Sequence, residues 1–165
     1  MKVLIVSDNH NERKIIEALP KIVNADLYLH LGDSEFSYDD DILKSFHCVR
    51  GNTDFDMQFK DEDLYNGRIF FTHGHLYNVN SSREMLAAKA KALGATYALY
   101  GHTHVSKVEK INGVYCINPG SIQSSRSEYP ESYAILDTDK NIVTYYSRKH
   151  EQIEIIELTL SLIHI

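Results

Sequence analysis

The chain has 165 residues, 43% of them hydrophobic and 24% charged, and a formal net charge of −6. That length suits one domain, residues 1–165, with a substantial core; no apolar run reaches the roughly 18–20 residues of a membrane span, and the apolar stretch at 2–7 is too short for a signal-peptide core. The acidic balance argues against a nucleic-acid polymer as partner, which would need clustered Lys and Arg, and two distant cysteines, Cys48 and Cys116, give neither a disulfide framework nor a thiolate metal site, so a reducing, cytoplasmic location is expected.

Lys2-Val3-Leu4-Ile5-Val6-Ser7 is continuously apolar and β-branched. It predicts a central strand buried on both faces, stopping at Asp8-Asn9-His10. Asn11 is placed to cap a helix with the apolar stripe Ile15, Ile16, Leu19, Ile22 and Val23, which Pro20 would end or kink. Residues 26–31 predict a second strand, ending in Gly32-Asp33. After an acidic stretch comes a short helix around 40–46, then a third strand at 47–50 that ends in Gly51-Asn52-Thr53-Asp54. This alternation implies a parallel sheet with helices packed on it.

Asn66-Gly67, between 63–65 and 68–72, is a hairpin signal, and its second arm ends in His73-Gly74-His75. Ser82 opens a helix running to about Leu93, with Gly94 at its end. Tyr97-Ala98-Leu99-Tyr100 reads as a buried strand ending in Gly101-His102-Thr103-His104. Taken as extended, this segment points the imidazoles at i and i+2 to the same side, toward one point or two neighbouring points. Asn112-Gly113 marks a second hairpin, between 105–110 and 114–117. Asn118-Pro119-Gly120-Ser121 is a turn, 124–131 a loop, and 132–136, 142–147 and 153–160 are further strands. The C-terminal half is therefore mostly antiparallel and predicts a second sheet packed on the first, giving an α/β fold: a two-sheet sandwich flanked by helices.

Five blocks each follow a predicted strand: Asp8-x-His10, Gly32-Asp33, Gly51-Asn52-x-Asp54, His73-Gly74-His75 and Gly101-His102-x-His104. Functional groups of open α/β sheets gather outside the carboxyl ends of strands. Carboxylate, imidazole and amide oxygen are ligands suited to Mn, Fe, Zn, Ni or Co, and the glycines let backbones turn sharply and approach closely.

In order and spacing these blocks resemble the calcineurin-like metallophosphoesterase superfamily, and in particular its small YfcE-type phosphodiesterase branch. The resemblance runs from Asp8 through the Asn118–Ser121 turn and the strands beyond, and it implies a four-layer fold. It also implies two divalent ions, with Mn the first expectation and Ni, Fe, Zn or Co the others. Asp8, His10 and His104 would hold one ion, Asp33 would bridge, and Asn52, His73 and His102 would complete the second. Asp54 would orient its neighbours rather than bind metal. The implied activity is hydrolysis of small phosphodiesters by a metal-bound hydroxide, a chemistry that two cations roughly 3.5–4 Å apart can support.

Many members of the superfamily carry a histidine after the asparagine of the third block, the usual candidate to protonate the leaving oxygen. Here that position is Thr53, which cannot act as an acid near neutral pH. His75 is the nearest replacement in sequence, while Thr53 and Arg50 are candidates to face the substrate and Arg126 a weaker one. The first block reads DNH where DTH is more usual, a change between ligand positions. His30 reads as a core or supporting histidine, His47 as structural, and His150 and His164 carry no signal. Two other readings stay open. One is a phosphomonoesterase or nuclease of the same fold. The other is a non-catalytic scaffold resembling the retromer subunit, which has lost metal-binding histidines that this chain retains. The β-rich C-terminal half would allow a homodimer.

Overall fold

The apolar run after Lys2 forms β1 (Lys2–Val6), and its residues 3–6 are fully buried, as expected of a strand covered on both faces. β1 pairs in parallel with β2 (Leu27–His30), and β2 with the short β3 (His47–Cys48). The structure, a computed structural model, describes residues 1–158. Helix α1 (Arg13–Ile22) connects β1 to β2 and lays Ile15, Ile16 and Leu19 on Leu4 and Val6.

A second sheet begins at the Asn66-Gly67 hairpin. It contains β4 (Glu62–Tyr65), β5 (Ile69–Thr72), β6 (Tyr97–Leu99), β7 (Lys107–Ile111) and β8 (Val114–Asn118), in the order β4-β5-β6-β8-β7. β5, β6 and β8 are parallel to one another, with an antiparallel strand at each edge. Helix α2 (Glu84–Ala92) crosses from β5 to β6 and buries Leu86, Ala87 and Ala90 against Phe70, Ala98 and Cys116.

The last strands depart from the sequence expectation. β9 (Ser132–Asp137), β10 (Ile142–Ser147) and β11 (Gln152–Glu157) do not build the second sheet; they extend the first, antiparallel, in the order β11-β10-β9-β1-β2-β3. β9 offers Ala134, Leu136 and Tyr133 alternately to the two faces, so it fits beside β1. The main core lies between the sheets, where Val3, Ile5, Leu29 and Leu31 meet Phe71, Tyr97, Leu99 and Ile117. With α1 outside one sheet and α2 outside the other, the four layers are helix, sheet, sheet and helix.

Three local expectations change. Asn11 does not cap α1: it sits at φ 70°, while Glu12 takes the extended cap position without a side-chain bond. The chain leaving β1 is coiled to present Asp8 and His10, so Asn11 cannot adopt the extended cap conformation. Pro20 does not end α1, which runs on to Ile22. The helix expected at 40–46 is a single 3-10 turn, Asp41–Leu43, capped by Asp40 Oδ1 accepting from the Ile42 N–H; a segment this short does not repay the cost of α-helix nucleation. The strand expected at 153–160 is β11, which ends at Glu157 with Leu158 in a turn, while residues 159–160 and His164 lie outside the described residues.

Candidate metal centre

The five blocks converge because β1, β2, β3, β5 and β6 are parallel within their own sheets and deliver their carboxyl ends to one edge of the sandwich. The backbone there is strained. Asp8, His10, Asp33, His102 and His104 all have left-handed φ, between 45° and 71°, a region that costs a non-glycine residue about 1–2 kcal/mol. The GHTH segment is therefore a bend and not an extended strand end, and its two imidazoles diverge to different groups.

One group is Asp8, His10 and His104. His104 Nε2 lies 3.4 Å from Asp8 Oδ1 and 3.3 Å from His10 Nε2, and His10 Nε2 is 3.7 Å from the same Asp8 oxygen. The other is Asp8, Asp33 and His73, with His73 Nε2 3.2 Å from Asp33 Oδ2 and 3.7 Å from Asp8 Oδ1. Asp33 Oδ2 also comes within 3.9 Å of His10 Nε2, so it faces both groups. His102 sits beside the second: its ring centroid is 5.1 Å from that of His73, and its Nδ1 is 3.1 Å from Asn52 Oδ1.

The far ring nitrogen of each clustered histidine is anchored. His73 Nδ1 donates to the Leu31 carbonyl at 2.7 Å, His104 Nδ1 to the Ser124 carbonyl at 2.7 Å, and His10 Nδ1 to Glu35 Oε2 at 2.9 Å. Each Nε2 lone pair then points inward, the orientation that metal-ligating histidines require. Asp8 is held the same way. Its Oδ2 accepts from Ser7 Oγ–H at 2.6 Å and from the His102 N–H at 3.2 Å, while its Oδ1 is buried without a partner, as is His73 Nε2. These two buried polar atoms, 3.7 Å apart and without hydrogen-bond partners, mark a place that a cation fits. The donor set of two carboxylates and several imidazoles fits a borderline divalent metal.

The electrostatics agree. Burial opposes ionisation of Asp8, yet the charges of His73 and His104 and the hydrogen bond from Ser7 bring its pKa below the ordinary value. Asp33 is depressed too: burial acts against it, and the close charge of His73 prevails. Burial disfavours charge on His73, but Asp8 and Asp33 outweigh it and raise its pKa to about 9. The Asp8 carboxylate, 3.4 Å away, raises His104. His102 and His75 are lowered, first by burial and then by His73.

Asp54 is buried, and its carboxylate accepts three backbone N–H bonds, from Gly51 (2.6 Å), Asp33 (2.8 Å) and Glu35 (2.8 Å). It ties the second block to the third and touches no imidazole. The distal nitrogens of the clustered histidines are held by Glu35 and two backbone carbonyls. The Thr53 N–H donates to Asp33 Oδ1 at 2.9 Å. Arg50 bonds the Asp54 carbonyl and pairs with Asp61 at 3.2 Å. The His75 ring lies 5.5 Å from that of His73 and 6.2 Å from that of His102, with Nδ1 buried and unpartnered. The Arg126 N–H donates to the His104 carbonyl.

Several supporting residues escaped the sequence reading. Ser121 Oγ–H donates to the Asp8 carbonyl at 2.9 Å and accepts from the N–H groups of Gln123 and Ser124, fixing the carbonyl that anchors His104. Asn118 Nδ2 donates to the Gly101 carbonyl and to Thr103 Oγ1, holding the GHTH bend. The Asn118–Ser121 turn is thus a brace for the centre. Asn9, the departure in the first block, bonds His30 Nε2 at 2.7 Å and the Ser34 carbonyl at 3.2 Å, tying β1 to β2. Gly101 is needed for close approach: a Cβ there would lie 2.8 Å from Asp8 Oδ2 and overlap Ser7 Oγ.

Residues 1–141 match the family model of the calcineurin-like phosphoesterase superfamily domain. The chain belongs to this superfamily and is a phosphoric ester hydrolase. It is 37% identical over 161 residues to the probable metallophosphoesterase YsnB of Bacillus subtilis, covering 93% of this chain and 95% of that one. Phosphodiesterase YfcE of Escherichia coli is 31% identical over 104 residues, 56% of this chain and 52% of that one. Among solved structures, a predicted phosphoesterase from Streptococcus pneumoniae superposes with a TM-score of 0.85 at 29% identity, covering 92% of each chain. Vps29 of Entamoeba histolytica complexed with Zn²⁺ gives 0.66 at 24% identity, covering 88% of this chain and 91% of that one, a likeness of fold alone. No helix among the described residues is long and apolar enough to cross a membrane.

Proposed function

We propose that the protein is a two-metal phosphodiesterase acting on small phosphodiesters. The observation that carries this reading is the convergence of Asp8 Oδ1, Asp33 Oδ2 and three anchored Nε2 atoms into two adjacent groups that share Asp8, whose Oδ1 is buried without a partner, as is His73 Nε2. Asp8, His10 and His104 would hold one divalent ion, and Asn52, His73 and His102 the other, with Asp33 between them. Two divalent cations, with Mn first and Ni, Fe, Zn or Co as alternatives, supply Lewis-acid stabilisation of phosphoryl charge and acidify water. Two carboxylates against two dications leave the centre positive despite the chain's net charge of −6, which suits a phosphate anion.

The chain's own residues orient the substrate. Asn52 is exposed at the rim with its amide oxygen toward His102, and Thr53 steadies Asp33 through its N–H. His75 is held below its ordinary pKa by burial and by His73. It is therefore mostly neutral at neutral pH, fitted to align a phosphoryl or leaving oxygen by hydrogen bonding rather than to protonate it. With no strong acid at Thr53, good leaving groups are favoured. Arg50, already bonded to Asp61 and to the Asp54 carbonyl, contributes positive potential at most.

Asp33→Ala or Asn52→Ala should abolish turnover without unfolding the protein, as judged by a native-like circular dichroism spectrum. Undiminished turnover in either variant would rule out the assigned centre. The scaffold reading draws on the likeness to Vps29. It requires no metal dependence, and the filled ligand set stands against it.

A further inference from the structure

Two of the three anchored histidines hold their rings with backbone carbonyls, and only His10 uses a side chain: Nδ1 meets Glu35 Oε2 at 2.9 Å. Glu35 is exposed, but the loop that carries it is fixed. Its backbone sits at φ 63°, and its N–H is pinned to Asp54 Oδ1 at 2.8 Å, the same carboxylate that holds the N–H of Asp33 and of Gly51. The strained loop that places Asp33 thereby also aims Glu35 at His10. The Glu35 carboxylate belongs to neither ligand group, so it acts through His10.

We propose that Glu35 is a positioning residue that makes the two metal positions unequal, by completing a carboxylate–histidine–metal relay at the Asp8, His10 and His104 position. This rests on the reading of those three residues as ligands. A carboxylate on the distal nitrogen fixes the tautomer, makes Nε2 a stronger donor and adds a negative charge close to the cation, whereas a carbonyl supplies only a dipole. The position it supports is also the more open one: the His10 side chain is 24% exposed, while that of His73 is fully buried. Glu35 thus strengthens the ion that solvent can reach, where burial does less to retain it. The Asp8, Asp33 and His73 position has no equivalent, since its histidine is anchored by the Leu31 carbonyl.

The test is calorimetric titration of chelator-stripped protein with Mn²⁺, comparing wild type, Glu35→Gln and Glu35→Ala. Wild type should bind two ions per chain in two affinity classes. Glu35→Ala should weaken one class by about 10–100-fold and leave the other within about twofold. Glu35→Gln, which keeps an acceptor for the Nδ1–H but loses the charge, should fall between. The metal-free melting temperature should be the same in all three, because the bond to Asp54 is made by the Glu35 backbone. Two unchanged classes in Glu35→Ala, or equal weakening of both, would overturn the inference and leave the two-metal reading standing. Failure of wild-type protein to bind two ions would instead defeat that reading itself.

Discussion

His73 should have to lose a proton for metal to bind, and the cost can be worked out from its surroundings. Its Nε2 lies 3.2 Å from Asp33 Oδ2 and 3.7 Å from Asp8 Oδ1, fully buried, and its metal-free pKa is raised to about 9. A metal ligand must be the neutral ring, so at pH 7 the ion displaces a proton held about two pH units above ambient. The apparent affinity there should be roughly 100-fold, or ~2.7 kcal/mol, below its limit at high pH. It should improve about tenfold per pH unit between pH 6 and 8. Titrating Mn²⁺ into stripped protein, in buffers of different ionisation enthalpy, should show about one proton released from His73 at pH 7. The linkage also reaches folding. Because the folded value lies above the unfolded 6.5, His73 stabilises metal-free protein fully below pH 6.5, and that contribution is lost as pH rises through 9. An affinity independent of pH with no proton release would refute the electrostatic account of this histidine.

His30 should act in the opposite sense. It accepts the Gly32 N–H at Nδ1, donates to Asn9 at Nε2, and is lowered by burial to about 4. The His30 contribution to metal-free stability should therefore be intact above pH 6.5 and fall by up to about 3 kcal/mol toward pH 4, as measured by urea midpoints; a flat profile between pH 6.5 and 4 would contradict this. Asp54→Ala strands three N–H groups and should cost about 3 kcal/mol or more in urea unfolding, whereas a loss under about 1 kcal/mol would remove its role as a brace between blocks. Gly101→Ala should lower the melting temperature through a Cβ overlap with Ser7 Oγ worth about 1–3 kcal/mol, and Ser7→Ala in the same chain should recover part of the loss.

Much of this architecture could be read from residues alone. β1, the parallel β1–β2–β3 set and the hairpins at Asn66-Gly67 and Asn112-Gly113 follow from apolar runs and turn chemistry. The structure confirms left-handed φ at both residues of each turn. Sheet membership of β9–β11 could not be read, because alternation shows that a strand has two faces and says nothing of which edge it joins. The ligand blocks were visible because each ends a strand. Their geometry was not, since the left-handed backbone at Asp8, His10, Asp33, His102 and His104 arises from tertiary hydrogen bonds that no local pattern encodes. The same holds for Glu35, Ser121 and Asn118, whose partners lie far along the chain or depend on a strained loop.

The central claim, a metal-dependent diesterase, is tested most directly by hydrolysis of bis-p-nitrophenyl phosphate by chelator-stripped protein, with and without Mn²⁺, beside p-nitrophenyl phosphate. The expected result is no turnover without metal, and metal-restored cleavage of the diester well in excess of the monoester, as befits a centre with Thr53 where an acid would stand. Comparable monoester cleavage would make the protein a phosphatase, and absence of turnover of either ester across Mn²⁺, Ni²⁺, Zn²⁺ and Co²⁺ would contradict catalysis at this centre.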